Sequence, residues 1–425
     1  MTVRGGTAAA AVLALAALAA GCDSVPSTAL TSCDQTQVLP GAVKTDILFV
    51  VDDSASMDSI QALLASNFSA FASALAASPV KDDFQIGVTT TSVHRYVASG
   101  TDHYPDTFAA TTACPTPPYT AGTAYPRGAL VSVTPVGGGG PAQRVQSTTG
   151  TSPPRILAAT SPSLVADFTA NADVGVCGSG KEQGLEAARL ALQAASAGGA
   201  NDGFLRPGSR LAVVIVSDSD DCSDPGEQGT STDPTNPTPA PSGVGTVSDC
   251  APYDAQNYVD FFKGSLGGET RSVVVGAIVA VDPITLQPAA CTEPGGATAE
   301  HASDRYKAFA DAFAPHALVD SVCNASFSDT LTRLAGLIAP DSVPLSGAPA
   351  DWRLLAVGLD KAGAASVSCE VVPSDAPTPA DPTHFTIYTP PQQGQPATLT
   401  FPKTPGNVCQ LETGDQVQIH VVCAG

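Results

Sequence analysis

The chain has 425 residues, a formal net charge of −21 and eleven cysteines. That length allows a sizeable core and more than one domain. The acidity repels nucleic acid and anionic lipid headgroups, which excludes both as partners. It leaves two readings, plain solubility or local acidic clusters that hold divalent cations.

Residues 1–21 read as an export signal. "MTVRGGT" carries one Arg, and residues 8–20 form an apolar run of Ala, Val and Leu. The run is short for a bilayer span but suits a secretory signal. It ends in "LAAGC", which resembles a bacterial lipobox and implies acylation of Cys22. Asp23 resembles the signal that retains enteric lipoproteins in the inner membrane. The alternative is an ordinary signal peptide with a cysteine nearby. No later stretch reads as a membrane span, so the expected location is the cell envelope, exported and lipid-anchored, with the choice of inner or outer membrane open. Setting Cys22 aside leaves ten cysteines with no C-x-x-C pair, which predicts disulfides rather than a zinc site. Loop closure favours near neighbours, Cys222–Cys250 and Cys291–Cys323.

Residues 22–42 are polar and Pro- and Ser-containing, and read as a tether. "TDILFVVDD" then shows the unbroken apolar run of a strand buried on both faces. "SIQALLASNFSAFASALAA" has Ile60, Leu63, Leu64, Phe68, Phe71 and Leu75 on one helical face. "FQIGVTTTS" predicts a strand, "KEQGLEAARLALQAAS" a helix and "LAVVIVSDSDD" a buried strand. "NYVDFFKGSL" predicts a helix, "SVVVGAIVAVD" a strand, "DRYKAFADAF" a helix, "HALVDSV" a strand and "FSDTLTRLAGLIA" a last helix. The alternation predicts a doubly wound α/β fold over residues 43–339, a mainly parallel sheet with helices on both faces. Two insertions interrupt it. The one near 97–154 should be loops with room for a hairpin; the one near 223–251 is rich in Pro, Thr and Ser. Residues 340–425 alternate with period two, which predicts a small C-terminal β-rich domain of antiparallel strands.

In an open parallel sheet, ligands bind beyond the carboxyl ends of the strands. There the first strand runs into "VDDSASM", with Asp52, Ser54 and Ser56, and "VVIVS" runs into Asp218, with Asp220 and Asp221 behind. A glycine-rich loop, "GVCGSGKEQGL", offers Ser179. Carboxylates and hydroxyls converging at one sheet edge suit a hard divalent ion. At these residues the chain resembles the von Willebrand factor type A family. The family's D-x-S-x-S signature stands here as Asp52-Asp53-Ser54-Ala55-Ser56, with Asp53 at the freely varied position. The resemblance implies a metal-ion-dependent adhesion site for Mg2+, or Ca2+ or Mn2+, held by Asp52, Ser54, Ser56, Ser179 and Asp218. Glu182, one turn from Ser179, is the alternative third-loop ligand, and Asp220 a possible addition. It further implies that the ion captures an acidic group on a protein partner.

The glycine-rich loop also fits part of a phosphate-binding motif, through Gly175, Gly180 and Lys181. Glu182 stands where that motif needs Ser or Thr and would repel phosphates, and no strand precedes the loop, so a nucleotide is not expected. "DSDDCSD" lacks the spacing of an EF-hand loop and reads as a hydrated acidic loop rather than a second ion site. The six His show no ligand spacing, and no G-x-S-x-G elbow is present. The expectation is a binding protein, not an enzyme. The alternatives are an envelope-assembly protein whose metal only braces loops, and, more weakly, an exported hydrolase with an unrecognised site.

Overall fold

The computed structural model describes residues 30–32, 35–38, 43–76, 82–94, 107–108, 123–135, 144–223, 255–299, 301–314, 316–338, 342–345, 347–361, 365–391, 397–402, 404, 406–412 and 415–424. In chain order the elements are β1 (Leu30–Ser32), β2 (Gln35–Val38), β3 (Val43–Val51), α1 (Asp58–Ala76) and β4 (Asp82–Thr90). A hairpin of β5 (Ser132–Pro135) and β6 (Arg144–Ser147) follows, then β7 (Ile156–Ala158), α2 (Leu164–Ala172), α3 (Gly184–Gln193) and β8 (Arg210–Val216). Next come α4 (Gln256–Lys263), β9 (Ser265–Leu266), β10 (Glu269–Thr270), β11 (Val273–Val279), α5 (Asp304–Asp311), β12 (Ala317–Ser321) and α6 (Ser328–Ile338). The C-terminal strands are β13 (Ser342–Pro344), β14 (Ala356–Asp360), β15 (Ser366–Pro373), β16 (Phe385–Thr389), β17 (Thr398–Thr400), β18 (Gln416–His420) and β19 (Val422–Ala424).

One sheet has six strands in the order β12-β11-β8-β3-β4-β7. β3 lies at its middle, parallel to β4 on one side and β8 on the other. Its unbroken apolar run has a simple cause. Ile47, Phe49 and Val51 enter a core shared with α1, α2 and α6, whereas Leu48 and Val50 enter one shared with α3, α4 and α5. With both faces covered, no position from Ile47 to Val51 is left for a polar side chain.

Helix α1 is long and apolar enough to cross a membrane by length and mean hydropathy, which the sequence reading did not expect of any stretch after the signal. Its Ile60, Leu64, Phe68, Phe71 and Leu75 are buried in the first core, so it is a core element of the sheet. Helix α2, in a segment the sequence reading left without an element, supplies Phe168, whose ring stacks on Phe68 and meets Phe49 edge-on at 4.9 Å.

The second sheet is the larger, with seven strands in the order β13-β17-β16-β15-β14-β18-β2. β15 and β16 run parallel and the other neighbours antiparallel. Leu359, Leu399, Phe401, Val417 and Ile419 form its core. The disulfide Cys369–Cys409 closes a 40-residue separation within it.

The doubly wound, mainly parallel α/β class with a small β-rich appendage is therefore corrected. The chain is a mixed-sheet protein with nineteen strands to six α-helices among the described residues. The six-stranded sheet ends on an antiparallel strand, β7 against β4. The seven-stranded sheet pairs in both directions and is neither small nor only C-terminal. Part of the expected tether, β2, is its edge strand on β18, and β1 pairs with β19. Periodicity reports which face of a strand is buried but not its partner or direction, and that is where the expectation failed.

Candidate functional site

β3 and β8 are parallel neighbours, so the residues leaving them emerge at one rim. Asp52 follows β3 directly, and its N–H still donates to Val216 O at 3.0 Å, the last rung of the ladder. Its carboxylate is wholly buried. Oδ1 accepts from the backbone N–H of Ser54 at 2.8 Å and Oδ2 from the Ser217 hydroxyl at 2.6 Å. Thr91, just beyond β4, adds a longer contact of 3.4 Å to Oδ1. Burial first, and then the charge of Asp218, raise the Asp52 carboxyl to about 7. The structure thus brings together the two acids expected at this rim. Asp218 is also fully buried. Ser54 and Ser56 place their hydroxyl oxygens 3.3 Å apart on the same loop.

Asp53, the residue between Asp52 and Ser54, is as buried as Asp52. The Ser92 hydroxyl donates to its Oδ1 at 2.7 Å, and the side-chain amide of Gln146 donates to its Oδ2 at 2.9 Å. Its carbonyl accepts from Gly178 N at 2.7 Å. Burial raises this carboxyl to about 7 as well, against the lowering effect of Gln146 and Ser92.

The glycine-rich loop lies against these residues. Gly175 has φ of 85°, a conformation that costs a glycine little. A Cβ on Gly178 would fall 2.2 Å from the Asp53 carboxyl carbon, so the loop can approach that closely only without a side chain. Ser179 N donates to Ser92 Oγ at 2.8 Å, which joins the loop to Asp53. The Ser179 hydroxyl donates to His94 O at 2.7 Å and accepts from Lys181 N at 2.9 Å, leaving one lone pair uncommitted. Glu182 is buried beside it. Its main chain bridges Ser92 and accepts from Cys222 N, and its charge reaches Tyr306.

The acidic segment after β8 is not a hydrated loop; Ser217 to Ser223 are all buried. The reason is that its acids face helix N-termini, where unpaired N–H groups need acceptors. Asp220 accepts from Arg305 N at 2.9 Å and Tyr306 N at 3.3 Å, in the first turn of α5. Asp221 accepts from Leu185 N at 3.1 Å, and Ser223 Oγ from Glu186 N at 2.9 Å, in the first turn of α3. Asp220 is thereby turned to α5 rather than to the expected ion. Burial holds its carboxyl near 7. Behind the rim the buried Tyr306 hydroxyl receives the N–H of Gly184 at 3.2 Å. Burial and the charges of Asp221, Asp52, Asp220 and Glu182 push its ionisation well up.

The donor set is all oxygen, two carboxylates and a group of hydroxyls, which fits a hard divalent cation. Two like charges in one buried place are costly, and a cation there would offset them. Among the described residues no three His, Cys, Asp or Glu side chains group into a metal cage, so any ion here relies on the serines. The sequence reading missed Gln61, Ser92, Gln146, Ser217 and Tyr306. Gln61 alone carried a signal, a polar side chain beside Ile60 and Leu64 on the core side of α1.

The expected cysteine pair Cys291–Cys323 is a disulfide. Cys222 is disulfide-bonded too, but Cys250 lies outside the described residues, as do Cys22, where lipidation was expected, and most of the two insertions. Disulfides of this kind belong to an oxidising compartment, and the chain is an exported protein.

No family model matches this chain, and no curated protein does. The solved structures similar to it at low identity include the following three. The proximal thread matrix protein 1 of mussel byssus has 11% identity and a TM-score of 0.31, over 72% of this chain and 50% of its own. The pilus adhesin SpaC of Lactobacillus rhamnosus GG has 13% and 0.33, over 92% and 42%. The pilus adhesin RrgA of Streptococcus pneumoniae has 9% and 0.34, over 92% and 58%. The chain thus spans about half the length of each, and likeness at these scores carries no argument about fold or function.

Proposed function

We propose that this exported chain is a lipid-anchored cell-envelope protein that binds a divalent cation at the rim of its six-stranded sheet and, through it, an acidic group on a protein partner. The observation that carries this reading is the pairing of two buried carboxylates, Asp52 and Asp218, beside the Ser54 and Ser56 hydroxyls. The resemblance of residues 52–56 to the type A adhesion signature supports it at the level of the loop. Asp52, Ser54, Ser56, Ser179 and Asp218 would hold Mg2+, or Ca2+ or Mn2+, with Glu182 as the alternative to Ser179. A bound cation supplies an electrophilic position for a partner's carboxylate. The half-buried donor Ser56 and its exposed neighbour Ala55 mark the way out. No nucleotide or nucleic acid enters this reading, and it needs no catalytic step.

Titration calorimetry with Mg2+ on wild type and Asp52→Ala tests the ion. Heat from wild type and none from the variant supports it; equal traces remove the site. A pull-down from envelope extract with Mg2+ or with chelator tests the partner. The complete burial of Asp52 and Asp218 favours a second reading, in which the cation only braces the loops. A bracing ion shifts the melting temperature on chelation and leaves partner capture unchanged.

A further inference from the structure

Gln146 belongs to the first insertion, on β6, far in sequence from the signature loop. Its side-chain amide donates both to Asp53 Oδ2 and to Val174 O, each at 2.9 Å. Two residues earlier on the strand, Arg144 grips Asp173 at 2.6 Å, where α2 ends. The hairpin β5–β6 is therefore fastened on β6 by Gln146 and Arg144 and on β5 by Val133, whose N–H donates to Asn171 Oδ1 at 2.9 Å, and of these only the Gln146 point reaches the rim. Gln146 ties the signature loop to the segment that opens the glycine-rich loop. A type A signature leaves the position of Asp53 free to vary; here that residue is buried and held by Ser92, Gly178 and Gln146.

We propose that Gln146 is a positioning residue for the cation site, by which the first insertion sets the placement of the Asp52–Ser56 loop. The proposal rests on the cation reading above. Gln146 donates no oxygen to the ion. It holds Asp53, and Asp53 holds the backbone from which Asp52 and Ser54 extend. Groups that hydrogen-bond a metal's ligands commonly change its affinity about 10- to 100-fold when removed, and Gln146, acting through Asp53, belongs at the lower end of that range.

The test uses the full chain and Mn2+ alone as probe, followed by calorimetry, with melting temperatures measured in chelator. Gln146→Ala is expected to weaken Mn2+ binding about tenfold, a loss larger than the fall in its chelated melting temperature accounts for. Arg144→Ala, which frees a fastening of the same strand that does not reach the rim, is expected to lower the melting temperature and leave Mn2+ affinity within about twofold. Wild-type Mn2+ affinity in Gln146→Ala overturns the proposal. So does a loss of affinity in both variants that tracks their loss of stability, which would make the hairpin a structural prop only. Absence of Mn2+ binding by wild type overturns the cation reading itself, and this proposal with it.

Discussion

Gln61 and Gly175, 114 residues apart, exchange a reciprocal pair of hydrogen bonds. The side-chain amide of Gln61 donates to Gly175 O at 2.8 Å and accepts from Gly175 N at 3.0 Å. The same amide also donates to Asp52 O at 2.8 Å. One side chain on α1 thus serves three backbone groups of the signature and glycine-rich loops, in the way a strand would. Gln61→Leu keeps the volume and removes all three bonds. Buried backbone groups left without partners cost about 1–3 kcal/mol each, partly offset by relaxation, so a loss of about 2–4 kcal/mol in urea unfolding is expected. A change under about 0.5 kcal/mol would mean that the two loops hold each other without it.

The glycine-rich loop offers a matched pair of substitutions. A Cβ at Gly178 meets the Asp53 carboxyl at 2.2–2.6 Å, whereas one at Gly180 meets nothing within 4 Å. Gly178→Ala should destabilise the chain by about 2–3 kcal/mol and Gly180→Ala by less than about 0.5 kcal/mol, by chemical denaturation. Equal effects would contradict the close packing of this loop on Asp53.

Stability should depend on pH in a stated direction. Burial raises Asp52, Asp53 and Asp220 from 3.8 to about 7 in the folded chain. Between about pH 4 and 7 the folded state then binds more protons than the unfolded one, so stability falls as pH rises through that window and levels off above it. Asp282 and Asp381, lowered by local hydrogen bonds, titrate below the window and do not reverse it. In chelator the melting temperature should be higher at pH 5 than at pH 7.5. Saturating Mg2+ should narrow that gap, because the ion replaces the protons. A melting temperature that climbs from pH 5 to 7.5 without metal would show these carboxyls ionise in the fold without penalty.

The N-terminal strands predict the behaviour of truncations. β2 pairs along β18 from Gln35 to Val38, and β1 pairs with β19. Removing residues 30–38 bares an edge of the seven-stranded sheet. Limited proteolysis should then cut within residues 340–425 while cleavage of the six-stranded unit is unchanged. Unaltered cleavage throughout would mean that the C-terminal strands stand without their N-terminal partners.

Much of the architecture was readable in one dimension. The apolar runs of β3, β8 and β11 and the helical face of α1 follow from local periodicity, because a residue's burial is set by the element it stands on. The same logic places Asp52 and Asp218 at the ends of two buried strands. Three-dimensional closure decided the rest. Whether β7 runs against β4, whether β2 joins β18, and which helix turn Asp220 or Asp221 caps depend on contacts between segments scores of residues apart, and no local pattern encodes such partners. Gln61 and Gln146 show the reason most plainly. Gln146 is an ordinary polar residue in its own stretch and Gln61 only a polar break in an apolar helix face, and each acquires its role when folding carries Asp53 or Gly175 to within hydrogen-bond reach.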